Sequence, residues 1–120
     1  MKQQDDIKNV FRMNLNPIPF KLIESGKKTV EMRLFDERRR NIFQGDLIIF
    51  TNTETGKELV VEVQRLRRFS SFVQLYNSYP KTRLGYNEDE EANPNDMLQY
   101  YSQELIDKYG VLAIEIQLLK

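Results

Sequence analysis

The stretch GKKTVEMR, residues 26–33, gathers the side chains best suited to chemistry in this chain. An ammonium (Lys28), a hydroxyl (Thr29), a carboxylate (Glu31) and a guanidinium (Arg33) stand close together in it. Successive side chains of a strand alternate between its faces, so Thr29, Glu31 and Arg33 share one face and Val30, Met32 and Leu34 the other. The apolar set belongs in a core. The polar set reads as the lining of a cleft for a ligand with anionic and hydrogen-bonding groups. Lys28 and Glu31 are three residues apart and meet only if Lys28 precedes the strand, which its place beside Gly26 allows. Paired on an open surface instead, they would contribute about 0–1 kcal/mol and carry no function. Arg33 offers either a salt bridge to a neighbouring strand or a bidentate fork for a phosphate or base edge.

Other candidates lie further along the chain. Arg38, Arg39 and Arg40 form either a solvated loop or a phosphate-contacting rim. Arg65, Arg67 and Arg68 read as solvent-facing and would extend the same positive surface if the fold brought the two groups together. Among Tyr79, Tyr86, Tyr100 and Tyr101, Tyr86 is the best placed to stack on a base, since it follows Gly85 in a loop. Tyr101 has helical spacing with Met97 and Leu105, which assigns it to the core. The acidic run at residues 88–91 matches no calcium loop and reads as solvated. No glycine-rich phosphate loop and no hydrolase elbow is present. With no histidine and no cysteine, the commonest general base and metal ligand and all thiol chemistry are excluded. Neither a metal nor a cofactor is expected.

Elements to hold these groups follow from periodicity. Phe11, Met13 and Leu15 alternate with polar residues as a first strand. Asn16-Pro17 opens a short helix with Ile18, Leu22 and Ile23 on its buried side, ended by Gly26. The GKKTVEMRLF strand comes next, then a polar connection anchored by Ile42 and Phe43, with Gly45-Asp46 leading into the following strand. The apolar run at residues 47–50 reads as a strand buried on both faces. Residues 53–57 form a hairpin loop with Gly56 at positive φ. A strand over residues 59–66 turns Leu59, Val61 and Val63 to one side. Ser70 caps a short helix carrying Phe72, Val73, Leu75 and Tyr76. Residues 79–93 form a long loop, and Asn93-Pro94 starts a helix with Met97, Tyr101 and Leu105 on one side, ended by Gly110. A last strand over 111–119 sets Leu112, Ile114, Ile116 and Leu118 on one face.

At 120 residues, 40% apolar and 30% charged, this is one globular domain, with residues 1–6 expected as a flexible lead. No apolar run reaches the roughly 20 residues of a membrane helix, and no signal-peptide core opens the chain, so a cytoplasmic location is expected. Net charge is zero but uneven. Residues 27–83 hold 12 Lys and Arg against 7 Asp and Glu, giving +5. Residues 84–120 hold 2 against 8, giving −6, and residues 1–26 hold 4 against 3, giving +1. A basic middle suits phosphate contact, yet a pI near 6.3 argues against tight nonspecific binding to long duplexes. A short single strand, a nucleotide or a modified nucleoside fits better.

The segments FKLIESGKKTVEMR, RRRNIFQGDLIIF, SSFVQLY and YYSQELIDKYGVLAIEI resemble the ASCH domain (activating signal cointegrator homology), a relative of the PUA RNA-binding barrel. The resemblance spans residues 14–119. It implies an α+β fold, a small mixed β-barrel of the PUA-like type with about three flanking helices, and RNA binding in a cleft beside the barrel. Some small bacterial members are similar to an amidohydrolase acting on acetylated cytidine, associated with a Lys, a Thr and a Glu, and at least one relative is reported as a ribonuclease. Carried over by position, the lysine falls on Lys28. The threonine falls on Glu31, which has no hydroxyl to act as nucleophile, and Thr29 is not its equivalent. The glutamate falls on Glu90 or Glu91 before the last helix.

The expectation is an RNA- or nucleotide-binding module, with Lys28, Thr29, Glu31, Arg33, Arg38, Arg39 and Tyr86 at the ligand and the protein a monomer or weak dimer. The enzymatic alternative is hydrolysis of an amide on a modified nucleoside, or of RNA, with Lys28, Glu31 and Glu91 as its working residues. A lysine base must be neutral for part of the time, and a carboxylate beside it favours the charged form, so binding is preferred over catalysis. A protein-interaction role would call for an exposed apolar patch that the sequence does not advertise.

Overall fold

A computed structural model describes residues 8–119 of the chain; the expected flexible lead at residues 1–6 lies outside the described residues. Five strands, β1 (Val10–Leu15), β2 (Val30–Leu34), β3 (Leu47–Asn52), β4 (Glu58–Phe69) and β5 (Val111–Leu118), form one sheet in the order β1-β3-β4-β5-β2. The β1–β3 pair is parallel and the other three are antiparallel. The sheet curls into a half-barrel of the mixed kind expected. Its two edge strands, β1 and β2, face each other across an open seam. Among the described residues three α-helices flank it: α1 (Pro17–Glu24), α2 (Phe72–Tyr76) and α3 (Gln103–Tyr109). Short 3₁₀ turns occur at Arg39–Asn41, Lys81–Leu84 and Pro94–Gln99. No helix among the described residues is long and apolar enough to cross a membrane.

Two apolar cores lie on opposite sides of the sheet. The first fills the curl with Met13, Leu15, Ile48, Phe50, Val61, Val63, Leu112, Ile114 and Ile116, closed by Phe20 and Ile23 of α1. The second packs Val30, Met32, Leu34, Val111 and Ala113 under Phe72, Leu75, Leu84, Met97 and Ile106. The first half of β5 is therefore buried on both faces: Leu112, Ile114 and Ile116 turn inward as expected, and Val111 and Ala113 of the opposite phase are covered as well, while Gln117 further on is exposed. β2 differs. Its apolar phase enters the second core, and its polar phase faces the first, because Glu31 and Arg33 stand opposite Ile114 and Leu112.

Several local expectations are corrected. Ile18 is 74% exposed, and Phe20 with Ile23 makes the buried side of α1; two positions turn about 200° round a helix, so Ile18 and Phe20 cannot share a face. Asn16 makes no side-chain cap bond, and its Oδ1 instead accepts from the Thr53 hydroxyl. β3 is not buried on both faces: Ile48, Phe50 and Asn52 are buried while Leu47, Ile49 and Thr51 are half-covered. Ile42 is buried but Phe43 is 63% exposed, as two successive residues in extended backbone point opposite ways. β4 runs on to Phe69, passing an irregularity between Val63 and Arg65. Ser71, not Ser70, caps α2 by accepting from the Gln74 N–H. The helix expected from Asn93 to Gly110 is broken: Pro94–Gln99 is 3₁₀, and Ser102 caps a fresh helix by accepting from the Leu105 N–H. Ile106 is its buried residue, while Leu105 stays exposed.

Candidate functional site

Among the described residues, four polar or charged ones are buried, and two of them have a plain structural task. Asp46 accepts from the Asn9 and Phe43 N–H groups, which explains the Gly-Asp lead into β3. Asn52 Oδ1 accepts from Glu54 and Thr55 in the hairpin loop. The other two, Lys28 and Glu31, bind no turn together. They bind each other.

The turn after α1 sets this up. The helix stops at Glu24, Gly26 takes φ +83°, and the Lys28 N–H donates to Leu22 O at 3.0 Å. β2 begins only at Val30, so Lys28 escapes strand alternation and swings back toward Glu31. Its Nζ lies 3.3 Å from Glu31 Oε1 and donates to Leu84 O at 3.4 Å. The other carboxylate oxygen, Oε2, accepts from Arg33 Nε at 2.8 Å. Arg33 Nη2 donates to Asn14 O at 2.8 Å, a link from β2 to β1 across the seam. Gly85 permits the close fit on the far side, where a Cβ would come within 3.3 Å of the Lys28 Cδ and its φ of +108° disfavours other residues.

Electrostatics follow from burial and pairing. Burial pushes the Glu31 carboxyl up, but the Lys28 ammonium and Arg33 guanidinium outweigh it and hold the group below its ordinary range. Burial pulls Arg33 the other way from Glu31, and the carboxylate prevails, raising it. The Tyr101 phenol is raised, by burial first, with Glu31 adding to it against the opposing pull of Arg33. Two cations on one anion leave the trio with an excess of one positive charge.

The trio forms part of the wall of a pocket of about 300 Å³ at the seam. Asn14, Leu15, Asn16 and Pro19 contribute from β1 and α1, Met32 from β2, Thr53 from the hairpin loop, and Met97, Tyr100 and Tyr101 from the segment before α3. Carboxamides, a hydroxyl and two phenol rings thus surround a buried cation–anion–cation set. Such a cavity suits a planar ligand with hydrogen-bonding edges and an anionic or carbonyl oxygen.

Lys28, Glu31 and Arg33 are the sequence candidates that the pocket brings together. The remaining ones do not line it. Thr29 Oγ1 accepts from Arg83 Nε, Arg38 donates to Arg12 O, and Arg39 pairs with Asp36 at 2.7 Å. Tyr86 donates to Asp96 and bonds Tyr76, its phenol pushed up by burial and these bonds. Glu91 is exposed in its loop. Sequence reasoning missed Asn14, Asn16 and Thr53, which carry no motif and meet the pocket only through the β1–β3 pairing. Of the four tyrosines weighed for stacking, Tyr100 and Tyr101 line the cavity and the favoured Tyr86 does not; Tyr101, expected in the core, packs partly against it, stacked at 6.2 Å on Phe72, and lines the cavity as well.

Among solved structures, the hypothetical protein PH0355 shares 36% identity with a TM-score of 0.78, covering 92% of this chain and 99% of its own. PF0455 from Pyrococcus furiosus shares 34% with a TM-score of 0.72, over 92% of this chain and 98% of its own. An ASCH protein from Zymomonas mobilis has the same fold at 19% identity and a TM-score of 0.65, over 91% of this chain and 67% of its own. No curated protein matches the chain. The model of the ASCH domain matches residues 13–120, a span that holds all five strands but the start of β1, both cores and every residue lining the pocket, and on that match the chain belongs to the ASCH domain family.

Proposed function

We propose that the seam pocket binds a nucleoside unit of RNA, and that the domain is an RNA- or nucleotide-binding module. One observation carries the reading: Lys28 and Arg33 are both held on the buried Glu31 carboxylate at the edge of a cavity rimmed by Tyr100 and Tyr101. A buried ion trio is a poor investment for stability, since apolar residues of the same volume do as well or better. Its use is to present donors in fixed directions. The Tyr rings supply sequence-tolerant stacking, Asn14, Asn16 and Thr53 supply hydrogen-bonding edges, and the net positive charge suits a phosphate or a polarised carbonyl. The volume near 300 Å³ sits at the small end for ligand sites, which fits one nucleoside better than a large cofactor. Membership of the ASCH family supports RNA as the larger ligand.

The hydrolytic alternative draws less support. Its base is Lys28, whose Nζ is already engaged by Glu31 Oε1 at 3.3 Å and by Leu84 O at 3.4 Å, and Glu31 stands where a hydroxyl nucleophile would be needed. The deciding experiment titrates the four ribonucleoside 5′-monophosphates and a short single-stranded RNA against the protein by calorimetry, alongside Lys28→Met and Arg33→Gln. Each substitution removes a charge-assisted donor worth about 1.5–3 kcal/mol, so affinity falls tenfold or more with the fold retained. Equal binding by the wild type and both variants, or no binding of any probe, overturns the reading.

A further inference from the structure

Beyond the pocket, four cations have no carboxylate within 4.0 Å among the described residues and instead lie on aromatic rings. Arg68 sits 4.0 Å from the centre of Phe35 and Arg40 5.5 Å from the same ring. Arg67 lies over Phe69 at 5.1 Å and Lys108 over Tyr109 at 5.1 Å. The contrast with the pocket is chemical. A guanidinium paired with a carboxylate has its N–H groups committed, whereas one lying over a ring is held by its face and keeps its in-plane N–H groups free. Among the described residues, neither the Arg40 nor the Arg68 side chain donates a hydrogen bond to the protein.

Arg68 and the three rings Phe35, Phe69 and Tyr109 line a second, more open hollow together with Ser70, Gln74 and Gly110, and Arg40 lies against it over Phe35. Gln74 Oε1 accepts both the N–H and the hydroxyl of Ser70, which leaves the carboxamide NH2 as its uncommitted end. Asp36, the acid next to Phe35, is already taken by Arg39. The hollow is therefore rich in donors, and no carboxylate lines it. The two hollows share no lining residue, but Phe35 follows Arg33 by two positions on the same side of the chain, about 7 Å along it, a spacing on the scale of one nucleotide step.

We infer that this hollow is a phosphate-contacting subsite, where Arg40 and Arg68, both over Phe35, grip the backbone of a single RNA strand whose neighbouring nucleoside occupies the seam pocket. The inference rests on the pocket reading for its register, but the hollow has its own residues and its own test. The two arginine clusters of the sequence meet on one ring, and this shared ring makes them a single positive surface.

The test measures a single-stranded hexaribonucleotide and a ribonucleoside monophosphate against wild type, Arg40→Gln, Arg68→Gln and Arg68→Lys, over a salt series. Both arginines are exposed, and thermal melts verify that the variants fold. Each Gln variant is expected to lose three- to tenfold in hexamer affinity, with the logarithmic salt slope reduced by about 0.7 for each phosphate no longer neutralised, while monophosphate binding stays unchanged. Arg68→Lys, which keeps the charge, is expected to keep the slope. Unchanged hexamer affinity and slope in both Gln variants overturns the inference, as does an equal loss of monophosphate binding, which would make the arginines part of the pocket. If wild type binds the hexamer through Arg40 and Arg68 but binds no monophosphate, the pocket reading fails and the subsite stands.

Discussion

Glu31 is the residue on which the site turns. Its carboxylate is shared by two buried or nearly buried cations, Lys28 and Arg33. Removing the shared anion leaves both cations without a partner, at a cost of about 3–5 kcal/mol, whereas removing Lys28 leaves Glu31 still bonded to Arg33. Glu31→Gln is therefore expected to destabilise the domain by about 3 kcal/mol, clearly more than Lys28→Met, which mainly removes ligand affinity. The same residue sets an acid limb. Its carboxyl is held below the ordinary value of 4.5 when folded, so its contribution is complete above that pH and is lost as pH falls through the lower folded value. Thermal melts between neutral pH and pH 3 should show wild type losing stability below about 4.5 and Glu31→Gln, already weakened, losing much less over that interval. Parallel curves for the two proteins would remove Glu31 as the acid-sensitive group.

At the scale of elements, the strands were legible because alternation is a one-residue signal. β1, β2 and the inward phases of β4 and β5 followed from it directly, and so did the polar phase of β2. Helix faces were less legible, because a segment of eight residues samples barely two turns and leaves the choice of buried arc to its neighbours. The sequence offered Ile18 and Ile23 as equals; the curl of the sheet accepts Phe20 and Ile23 and leaves Ile18 in water. Phe20→Ala is accordingly expected to cost about 3–5 kcal/mol through transfer and cavity terms, while Ile18→Ser stays within about 0.5 kcal/mol. Chemical denaturation of both variants checks this, and a large loss in Ile18→Ser would require a buried face that the fold does not have. The broken helix before α3 was hidden for a related reason. Met97, Tyr101 and Leu105 have helical spacing, but Ser102 is a better cap than an interior residue, and the break is what turns Tyr100 and Tyr101 toward the pocket. The candidate site was thus readable where it lay within one strand and unreadable where it depended on β1 meeting β3, or on Arg40 meeting Arg68 across Phe35.

For the molecule as a whole, charge distribution decides what kind of RNA the domain can hold. Net charge is zero, and the acidic residues concentrate in the stretch that forms the pocket rim and α3. A nonspecific grip on a long duplex needs many phosphate contacts on one broad basic face, whereas here Arg40, Arg67, Arg68 and Lys108 lie over aromatic rings and most other cations are paired with carboxylates. Roughly three engaged phosphates imply a logarithmic salt slope near −2 for single strands, or about a twentyfold loss of affinity between 50 and 200 mM salt. A duplex of the same length should bind far more weakly, because its bases are stacked and paired and cannot enter the seam between β1 and β2. Fluorescence anisotropy on a matched single strand and duplex, each titrated at several salt concentrations, reads both quantities at once. A steep slope with equal affinity for the duplex would mean that the surface acts as a general polyanion binder and that the pocket takes no part; a shallow slope with preference for the single strand is the result expected of a domain that fixes one nucleoside and steadies only the phosphates beside it.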